Sequence, residues 1–343
     1  MKRLLQLITV LSVIGLYSQN KEITLTAVGD IMMGTSFPSK NYLPATNTNP
    51  FGGVIKELQD TDILFGNHEG TITDTGKNAK HCKDPSKCYS FKTPTKFASY
   101  LGEVGFDVMS IANNHIGDFG KIGITNTRKA LESQGIAYAG VYGKTTAIFE
   151  KDGVKYGFCA FAPNNHTPKL TNIPKAVATV KELKEKGVDI IIVSFHGGAE
   201  GSKHTHLTKK TEYFYGENRG NVYKFAHAMI DAGADVILGH GPHVSRAIEV
   251  YKDRFITYSL GNFCTFGRFS LSGTKGYAPI IKIKMDEEGR FISGNIISAK
   301  QKSRVYPYLD PNQAAYKEIK KLTKSDFPKS TIVFEEDGSF YIK

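Results

Sequence analysis

Five short polar segments of this sequence carry side chains of the types that bind divalent metals or transfer protons. Each segment follows a short apolar run, and together they occupy 29–34, 66–70, 112–118, 195–198 and 239–243. Carboxylates neutralise a divalent charge, imidazoles add borderline-soft nitrogens, and a neutral Asn limits negative charge beside an anionic substrate. The mixture predicts a metal centre that acts on an anionic group. The candidate residues are Asp30, Glu69, Asn114, His115, His196, His240 and His243.

Each segment taken alone has a plainer explanation. A Gly-Asp pair after a strand, such as the one ending at Asp30, is commonly a turn or a helix cap. Asn114 and His115 fit an ordinary polar loop, and His240 and His243 fit loop positions beside a proline. However, this explanation requires five coincidences at the same position of successive strand–loop units. The joint occurrence therefore favours one shared site.

The elements that must position these segments are apolar runs alternating with helical patterns. The runs predict buried strands over 23–28, 62–65, 106–111, 156–161, 190–195 and 236–238. Helical spacing covers 94–103, 123–134, 174–186 and 222–232. Later strands are predicted over 248–250, 254–260, 279–285 and 291–298, with a hairpin turn at 287–290. This alternation predicts an α/β fold, in which ligand-binding loops lie at the carboxyl ends of the strands.

The order of the polar motifs resembles that of the calcineurin-like metallophosphoesterases. The amino-acid sequences of the motifs are more similar to those of the CapA branch, the poly-γ-glutamate capsule-synthesis proteins. The shared motifs are Gly-Asp-Ile-Met-Met-Gly, Ala-Asn-Asn-His-x-x-Asp, Ser-Phe-His-Gly-Gly, Gly-His-x-Pro-His-Val and Tyr-Ser-Leu-Gly-Asn-Phe, which begin at 29, 112, 194, 239 and 258. The resemblance runs from about residue 23 to 267. It implies a layered α/β/β/α sandwich.

The resemblance also implies a role for each candidate. Glu69 would bridge two metals, with Asp30 and His243 on the first ion. Asn114, His196 and His240 would complete the second site, and His115 would be the general acid beside the leaving-group oxygen. One or two divalent ions are implied, and Mn, Zn, Fe and Mg are not distinguished. A metal pair can activate water and hold both oxygens of an in-line displacement.

Two positions depart from the superfamily pattern. Its phosphoesterases usually place a His two residues after the first Asp, whereas this sequence has Met32. The bridging acid is Glu69 where Asp is common. The first metal site is therefore short of one strong ligand. His68 is a nearby substitute, but neighbouring residues of an extended segment usually point apart.

A basic stretch over 200–220 leaves two explanations open. It contains Lys203, Lys209, Lys210 and Arg219 and directly follows the motif of His196. It is either a solvated surface loop or a substrate-facing insertion. The formal net charge of +11 favours anionic partners. No arginine-rich run, RNA-binding aromatic motif or zinc-finger spacing accompanies it, so nucleic acid is not expected as a partner.

The N-terminus has the layout of a secretory signal peptide. Two basic residues precede an apolar stretch that is too short to span a bilayer, and polar residues follow it. We predict a signal peptide over 1–18, a CapA-like metallophosphoesterase domain over 22–305 and a C-terminal extension over 306–343. In an exported protein Cys82 and Cys88 would close a short polar loop as a disulfide. Cys159 and Cys264 lie in apolar runs and are predicted to be buried thiols.

Two functions from different classes follow. The residue constellation favours a metal-dependent hydrolase that cleaves a phosphate ester or related anionic bond outside the cytoplasm. The family resemblance favours a non-hydrolytic capsule factor that binds or transfers an anionic polymer in the same pocket. In both cases the partners are an anionic substrate or polymer and membrane-bound capsule-synthesis machinery.

Overall fold

A computed structural model of the protein describes residues 21–45, 48–81 and 88–343. The predicted signal peptide over 1–18 lies outside the described residues, as does Cys82, so export and the Cys82–Cys88 disulfide stay predictions. Cys159 and Cys264 are buried free thiols, which confirms that part of the prediction. In the ranges described, no helix combines the length and apolar character needed to cross a membrane.

Short strands alternate with six α-helices along the residues that the structure describes. The strands are β1 (Ile23–Met32), β2 (Ile63–His68), β3 (Thr71–Ile72), β4 (Lys92–Thr93), β5 (Val108–Ser110), β6 (Ala137–Ala139), β7 (Thr146–Lys151), β8 (Val154–Phe161), β9 (Ile190–His196), β10 (Glu212–Phe214), β11 (Glu217–Gly220), β12 (Val236–His240), β13 (Ile248–Tyr251), β14 (Arg254–Thr257), β15 (Asn262–Thr265), β16 (Ile280–Met285), β17 (Phe291–Ile297), β18 (Ala299–Lys302), β19 (Val305–Leu309), β20 (Ile332–Phe334) and β21 (Ser339–Ile342). The helices are α1 (Ile55–Gln59), α2 (Ala98–Val104), α3 (Gly120–Glu132), α4 (Ile173–Glu185), α5 (Val222–Asp231) and α6 (Ala314–Asp326).

Two large sheets form the centre of the fold. The first has the order β20-β21-β17-β16-β1-β2-β5-β6, with β15 also pairing with β1. The second has the order β13-β14-β12-β9-β8-β7. Within them β1, β2, β5 and β6 are parallel to one another, as are β8, β9, β12 and β14. The carboxyl ends of these central strands carry the predicted site segments.

The inner faces of the sheets pack against each other. Phe65 of the first sheet meets Phe158 of the second edge to face, with ring centroids 5.8 Å apart. Successive residues of one strand lie in different layers, because side chains alternate across a sheet. Phe65 belongs to the core between the sheets, whereas its neighbour Leu64 lies on the outer face. Burial on both faces explains why these strands are continuously apolar.

Helices cover the outer face of each sheet. Side chains of α1, α2 and α3 pack on the first sheet, and those of α4 and α5 pack on the second. Local capping fits these positions, since the side chains of Asn172 and Asn221 accept hydrogen bonds from Lys175 N and Lys224 N at the starts of α4 and α5. The four layers confirm the α/β/β/α sandwich.

The last forty or so residues are joined to both the sheet and the core. Strand β21 pairs with β17 at the edge of the first sheet. Tyr316 and Ile319 of α6 belong to the core between the sheets, and Leu322 belongs to the cluster beneath α4 and α5. The sequence pattern did not predict α6 or the edge strand β7. The apolar run of β7 is only three residues long, from Ala147 to Phe149, and of these only Ala147 is buried.

Candidate metal centre

Strand register places the site residues side by side. In the first sheet Asp30 is opposite Asn67 of β2 and Asn262 of β15. In the second sheet His240 is opposite His196 of β9. Parallel neighbours end at the same edge, so each sheet presents its polar groups there in a row. The two rows face one another where the sheets meet.

Asp30 is the point at which the two sheets are bridged. Its Oδ1 accepts a hydrogen bond from Asn67 Nδ2 at 2.8 Å and lies 3.3 Å from His240 Nδ1. Its Oδ2 lies 2.9 Å from His243 Nδ1. Burial by itself would raise the pKa of Asp30, but the neighbouring His240 and His243 imidazoles hold that pKa below its ordinary value. Asp30 is therefore an anion at neutral pH.

Glu69 supplies the second buried carboxylate. His243 Nε2 lies 3.6 Å from Glu69 Oε1, and ligand atoms of Asp30, Glu69 and His243 all fall within 4.8 Å of one another. Burial raises the pKa of Glu69 well above its ordinary value, and the charges of Asp30 and Glu200 raise it further. Burial lowers the pKa of His243, but Glu69 and Asp30 outweigh it and bring the value to about 10.

Several buried polar atoms around this cluster have no hydrogen-bond partner among the described residues. They include both carboxylate oxygens of Glu69, both ring nitrogens of His196 and of His240, and the side-chain oxygens of Asn67, Asn114 and Asn262. Unpaired buried polar groups are costly and rare in folded proteins. Carboxylate, amide and imidazole atoms are ligands of divalent cations. The residues present therefore fit a divalent metal centre.

The loop that carries His243 is tightly constrained. The backbone of His243 has a φ of 56°, in the left-handed region that non-glycine residues adopt at a cost. Gly241 has a φ of 112°, and a side chain there would place its Cβ 2.7 Å from the backbone of Gly197. The loop after β12 thus approaches the loop after β9 closely. This close approach holds His243 over Asp30.

His115 points into the same cavity from the first sheet. Its Nε2 lies 3.9 Å from Glu69 Oε1, and its Nδ1 lies 2.8 Å from Asp118 Oδ2. Lys80 Nζ is 3.0 Å from the same Nδ1 and 3.1 Å from Asp118 Oδ1. Burial and the Lys80 charge lower the pKa of His115, while Asp118 opposes them. Asp118 orients the ring and leaves Nε2 directed at the metal-ligand cluster.

The predicted ligands thus lie in one cavity, but the basic residues of the 200–220 stretch are dispersed. Lys203 and Lys210 are exposed. The Lys209 ammonium lies over the rings of Tyr223 and Phe327, at 5.1 and 4.6 Å from their centroids. Of the four, the structure links Arg219 to the cluster. Its Nη2 lies 3.0 Å from Glu200 Oε1, and Glu200 Oε2 is 4.0 Å from His243 Nε2.

The departures from the family pattern have clear positions. Ile31 and Met33 lie in the outer cluster of the first sheet, so Met32 faces the same side as Asp30. His68 is opposite Ile31 in the register and is therefore on the outer side. Burial lowers the pKa of His68 to about 4, so it is neutral at pH 7. His68 is not placed to replace the ligand that Met32 lacks.

Three residues that contact the site residues were not predicted from the sequence to have a role. Asn67 bonds to Asp30, Asp118 holds His115, and Lys80 contacts both members of that pair. A signal was available for two of them. Asn67 stands two residues before Glu69, which puts both on one face of an extended segment. Asp118 is the last residue of the motif that contains His115. Lys80 lies in a loop without any such pattern.

Comparison with known proteins agrees with this geometry. The profile of the family described as "Bacterial capsule synthesis protein PGA_cap" matches residues 24–266. The chain belongs to this PGA_cap family. The matched range includes Asp30 and extends beyond His243, so it covers every predicted metal ligand. The resemblance inferred from the motifs is thereby confirmed at the level of the family.

Two similar proteins from Bacillus are named for capsule or PGA biosynthesis. "Capsule biosynthesis protein CapA" of Bacillus anthracis is 31% identical over 266 residues, which cover 72% of this chain and 61% of the relative. "PGA biosynthesis protein CapA" of Bacillus subtilis is 31% identical over 251 residues, which cover 69% of this chain and 61% of the relative. The chain thus matches about three fifths of the length of each relative.

A solved structure shows the same architecture. A novel phosphatase from Mycoplasma pneumoniae superposes with a TM-score of 0.52 at 13% sequence identity. The superposition covers 85% of this chain and 96% of the phosphatase. At this identity the likeness concerns the fold. It supports the layered sandwich described above for the PGA_cap chain.

Proposed function

We propose that this PGA_cap protein is an exported, metal-dependent hydrolase of a phosphate ester or related anionic bond in capsule or polyglutamate assembly. The observation that carries the proposal is the cluster of Asp30, Glu69 and His243 beneath His115. It combines unpaired buried ligand atoms with an imidazole that points at them. The capsule context rests on the family and on the printed names of its relatives.

Each residue has a definite task in this proposal. Asp30, Glu69 and His243 would hold a first ion, and Asn114, His196 and His240 would hold a second, with Glu69 contributing to both. A divalent cation in this place supplies Lewis acidity and activates water. His115 donates a proton from Nε2 to the leaving-group oxygen, and Asp118 keeps that nitrogen aimed at the cavity by holding Nδ1.

The surrounding charge suits an anionic substrate. Lys80 lies beside His115, and Arg219 partly neutralises Glu200 at the rim. The buried carboxylates would be occupied by the bound metal ion. Basic side chains such as Lys80 and Arg219 are therefore needed to attract a negatively charged group into the cavity. Low solvent access strengthens each of these interactions relative to water. The site therefore favours a substrate with a negative charge at the reacting centre.

A second candidate function is supported by Met32. A thioether replaces the imidazole that superfamily phosphoesterases usually have, and it lies on the face of Asp30. A weakened first metal site would leave a pocket that binds an anionic polymer, such as poly-γ-glutamate, through its remaining ion and nearby basic side chains without cleaving it. In that case the protein is a capsule factor that binds or transfers the polymer.

Metal analysis and a hydrolysis screen separate the two functions. Protein purified in the presence of Mn²⁺, Zn²⁺, Fe²⁺ or Mg²⁺ is assayed for metal content and then for cleavage of a panel of phosphoesters. The hydrolase proposal expects bound metal and turnover that a chelator abolishes. Retained metal with no ester cleaved, together with tight binding of poly-γ-glutamate, supports the capsule factor. Failure to retain any divalent ion contradicts the hydrolase.

Export is part of the proposal and has its own test. Protein isolated from the native host is subjected to N-terminal sequencing and thiol counting. We expect a start near Gln19 and a Cys82–Cys88 disulfide. A chain with intact Met1 and all four cysteines reduced contradicts export.

A further inference from the structure

Arg268 is a cation at the mouth of the site, and none of the described residues supplies it with an anionic partner. Its guanidinium lies over two aromatic rings, 5.1 Å from the centroid of Tyr42 and 4.7 Å from that of Tyr89. In the part of the chain that the structure describes, no carboxylate lies within ion-pair distance of it, and its buried Nε has no hydrogen-bond partner. A guanidinium held by stacking keeps its planar fork of donors available for a carboxylate or phosphate.

Ring contacts connect this arginine with the proposed acid. The next residue, Phe269, stacks on Phe91 with centroids 5.0 Å apart and meets the edge of His243 at 5.6 Å. Phe91 in turn lies 4.2 Å from the His115 ring. Phe269 and Phe91 therefore form an aromatic wall beside the two catalytic-site histidines. Arg268 continues that wall on its outer side.

The segment that carries Tyr89 is hydrogen-bonded to the pair of Asp118 and His115. Phe91 N donates a hydrogen bond of 2.8 Å to Asp118 Oδ2, the oxygen that also holds His115. Tyr89 is two residues from Phe91, a reach of at most about 7 Å along the chain. The Tyr89 ring that contacts Arg268 is thus carried by the segment that is bonded to Asp118 and, through it, to His115.

Nearby cations reinforce this surface. The guanidinium of Arg304 also lies over Tyr42, at 5.8 Å, and donates from Nη1 to the carbonyl of Asn41. Lys275 Nζ donates to Ser270 Oγ at 2.7 Å. Among the described residues neither cation has an acidic partner. The mouth on this side is therefore positively charged, unlike the carboxylate-lined floor.

We propose that Arg268, held on Tyr42 and Tyr89, is an anion subsite that binds a second carboxylate or phosphate of the substrate. The group bound there lies next along the substrate from the one held at Glu69 and His243. The subsite selects ligands with two separated anionic groups over ligands with one. This inference rests on the proposed function only in taking the cluster of Asp30, Glu69 and His243 as the place where the reacting end binds.

Calorimetric binding tests the subsite without requiring turnover. The metal-loaded protein is titrated with inorganic phosphate, with a γ-linked glutamate trimer and with propane-1,3-diyl bisphosphate. The variants are Arg268→Ala, Arg268→Lys and the control Arg290→Ala. Arg290 is an exposed arginine in the turn between β16 and β17, and this turn adjoins the amino end of β1, opposite the site. Thermal unfolding and metal content confirm that each variant is folded and loaded.

We expect Arg268→Ala to weaken at least one of the two-group ligands by about 10- to 100-fold, the usual cost of a lost charged hydrogen bond. Phosphate binding should change less than about 2-fold, because phosphate reaches the metal ligands alone. Arg268→Lys should also lose affinity, since it keeps the charge but not the fork. Loss confined to the trimer assigns a carboxylate subsite, and loss confined to the bisphosphate assigns a phosphate subsite.

Two results would overturn the inference. In the first, Arg268→Ala binds every ligand as the wild type does. In the second, Arg268→Ala and Arg290→Ala weaken all three ligands equally, which indicates long-range charge and no subsite. Neither result depends on catalysis. A protein that binds the trimer through Arg268 but cleaves no ester would therefore retain the subsite while losing the hydrolase proposal.

Discussion

The imidazole of His243 hydrogen-bonds to the carboxylate of Asp30, with 2.9 Å between Nδ1 and Oδ2, across 213 residues of chain. Asp30 lies near the carboxyl end of β1 in the first sheet, and His243 follows β12 of the second. The contact therefore joins the two halves of the sandwich at the edge where Glu69 and His240 also lie. The proposed metal site therefore takes residues from both sheets.

Glu69→Ala should remove bound metal together with any activity. Both oxygens of Glu69 are buried and unpaired, and Glu69 is proposed to contact both ions. Replacing a residue that only positions a metal ligand commonly lowers metal affinity by 10- to 100-fold. Because Glu69 is proposed to be a ligand itself, we expect Glu69→Ala to lower metal affinity by at least about 100-fold. Elemental analysis after dialysis measures it. The matched control is Glu288→Ala, on an exposed turn, which should keep its metal. A Glu69→Ala protein with full metal content contradicts the ligand assignment.

His115→Asn should keep its metal and lose turnover by about 10²- to 10⁴-fold, the usual contribution of a positioned acid. The defect should shrink for esters whose leaving groups have a low pKa, because these need little protonation. Rates on two esters of different leaving-group pKa provide the measurement. Asp118→Asn should show a smaller defect of the same pattern, since it disturbs the orientation of the ring. If His115→Asn loses metal, His115 is a ligand and not the acid.

Met32→His should strengthen metal binding. The side chain of Met32 lies on the face of Asp30, so a histidine there would be directed toward the first ion. We expect an increase in affinity of about 10-fold, comparable with the effect of one supporting residue. Met33→His is the control, because Met33 lies in the outer apolar cluster and its substitution should only destabilise the fold. Equal affinities for the wild type and Met32→His would show that the missing imidazole does not limit binding.

Metal binding at neutral pH should release protons. In the metal-free protein burial lowers the pKa of His243, but the charges of Glu69 and Asp30 raise it to about 10, so at neutral pH His243 retains a proton that a metal must displace. Burial raises the pKa of Glu69, which adds to the protons displaced as the pH falls. Because bound metal excludes these protons, affinity should rise with pH, by about tenfold per pH unit for each proton released. Calorimetry in buffers of different ionisation enthalpy counts the protons. Glu69→Gln should release fewer, whereas affinity independent of pH contradicts the mechanism.

The three lysines of the 200–220 stretch should not behave alike. Lys203 and Lys210 are exposed, so Lys203→Ala and Lys210→Ala should weaken binding of poly-γ-glutamate most at low ionic strength. The Lys209 ammonium lies over two rings, so Lys209→Ala should lower the free energy of unfolding by about 1 kcal/mol. Polymer titrations at two salt concentrations and denaturant unfolding measure these effects. Unchanged polymer affinity for Lys203→Ala and Lys210→Ala would make the stretch an ordinary solvated surface.

The sequence by itself determined the layout of the fold and the chemistry of its loops. Doubly buried parallel strands are continuously apolar, so β1, β2, β8 and β9 could be predicted from local runs. Asp30, Glu69 and His196 each follow such a run, and the geometry of parallel sheets brings strand ends to one edge. Elements whose apolar run is short and largely unburied, such as β7, gave a weaker signal.

Only the tertiary structure decided which side chains touch. The pairing of Asp30 with His243 depends on how two sheets pack and on the left-handed backbone at His243, and neither is encoded in a local pattern. The same is true of Lys80 beside His115 and of Arg268 on the rings of Tyr42 and Tyr89. Contacts between distant segments depend on register and packing over the whole sandwich, so periodicity and spacing reveal the residue types but not their partners.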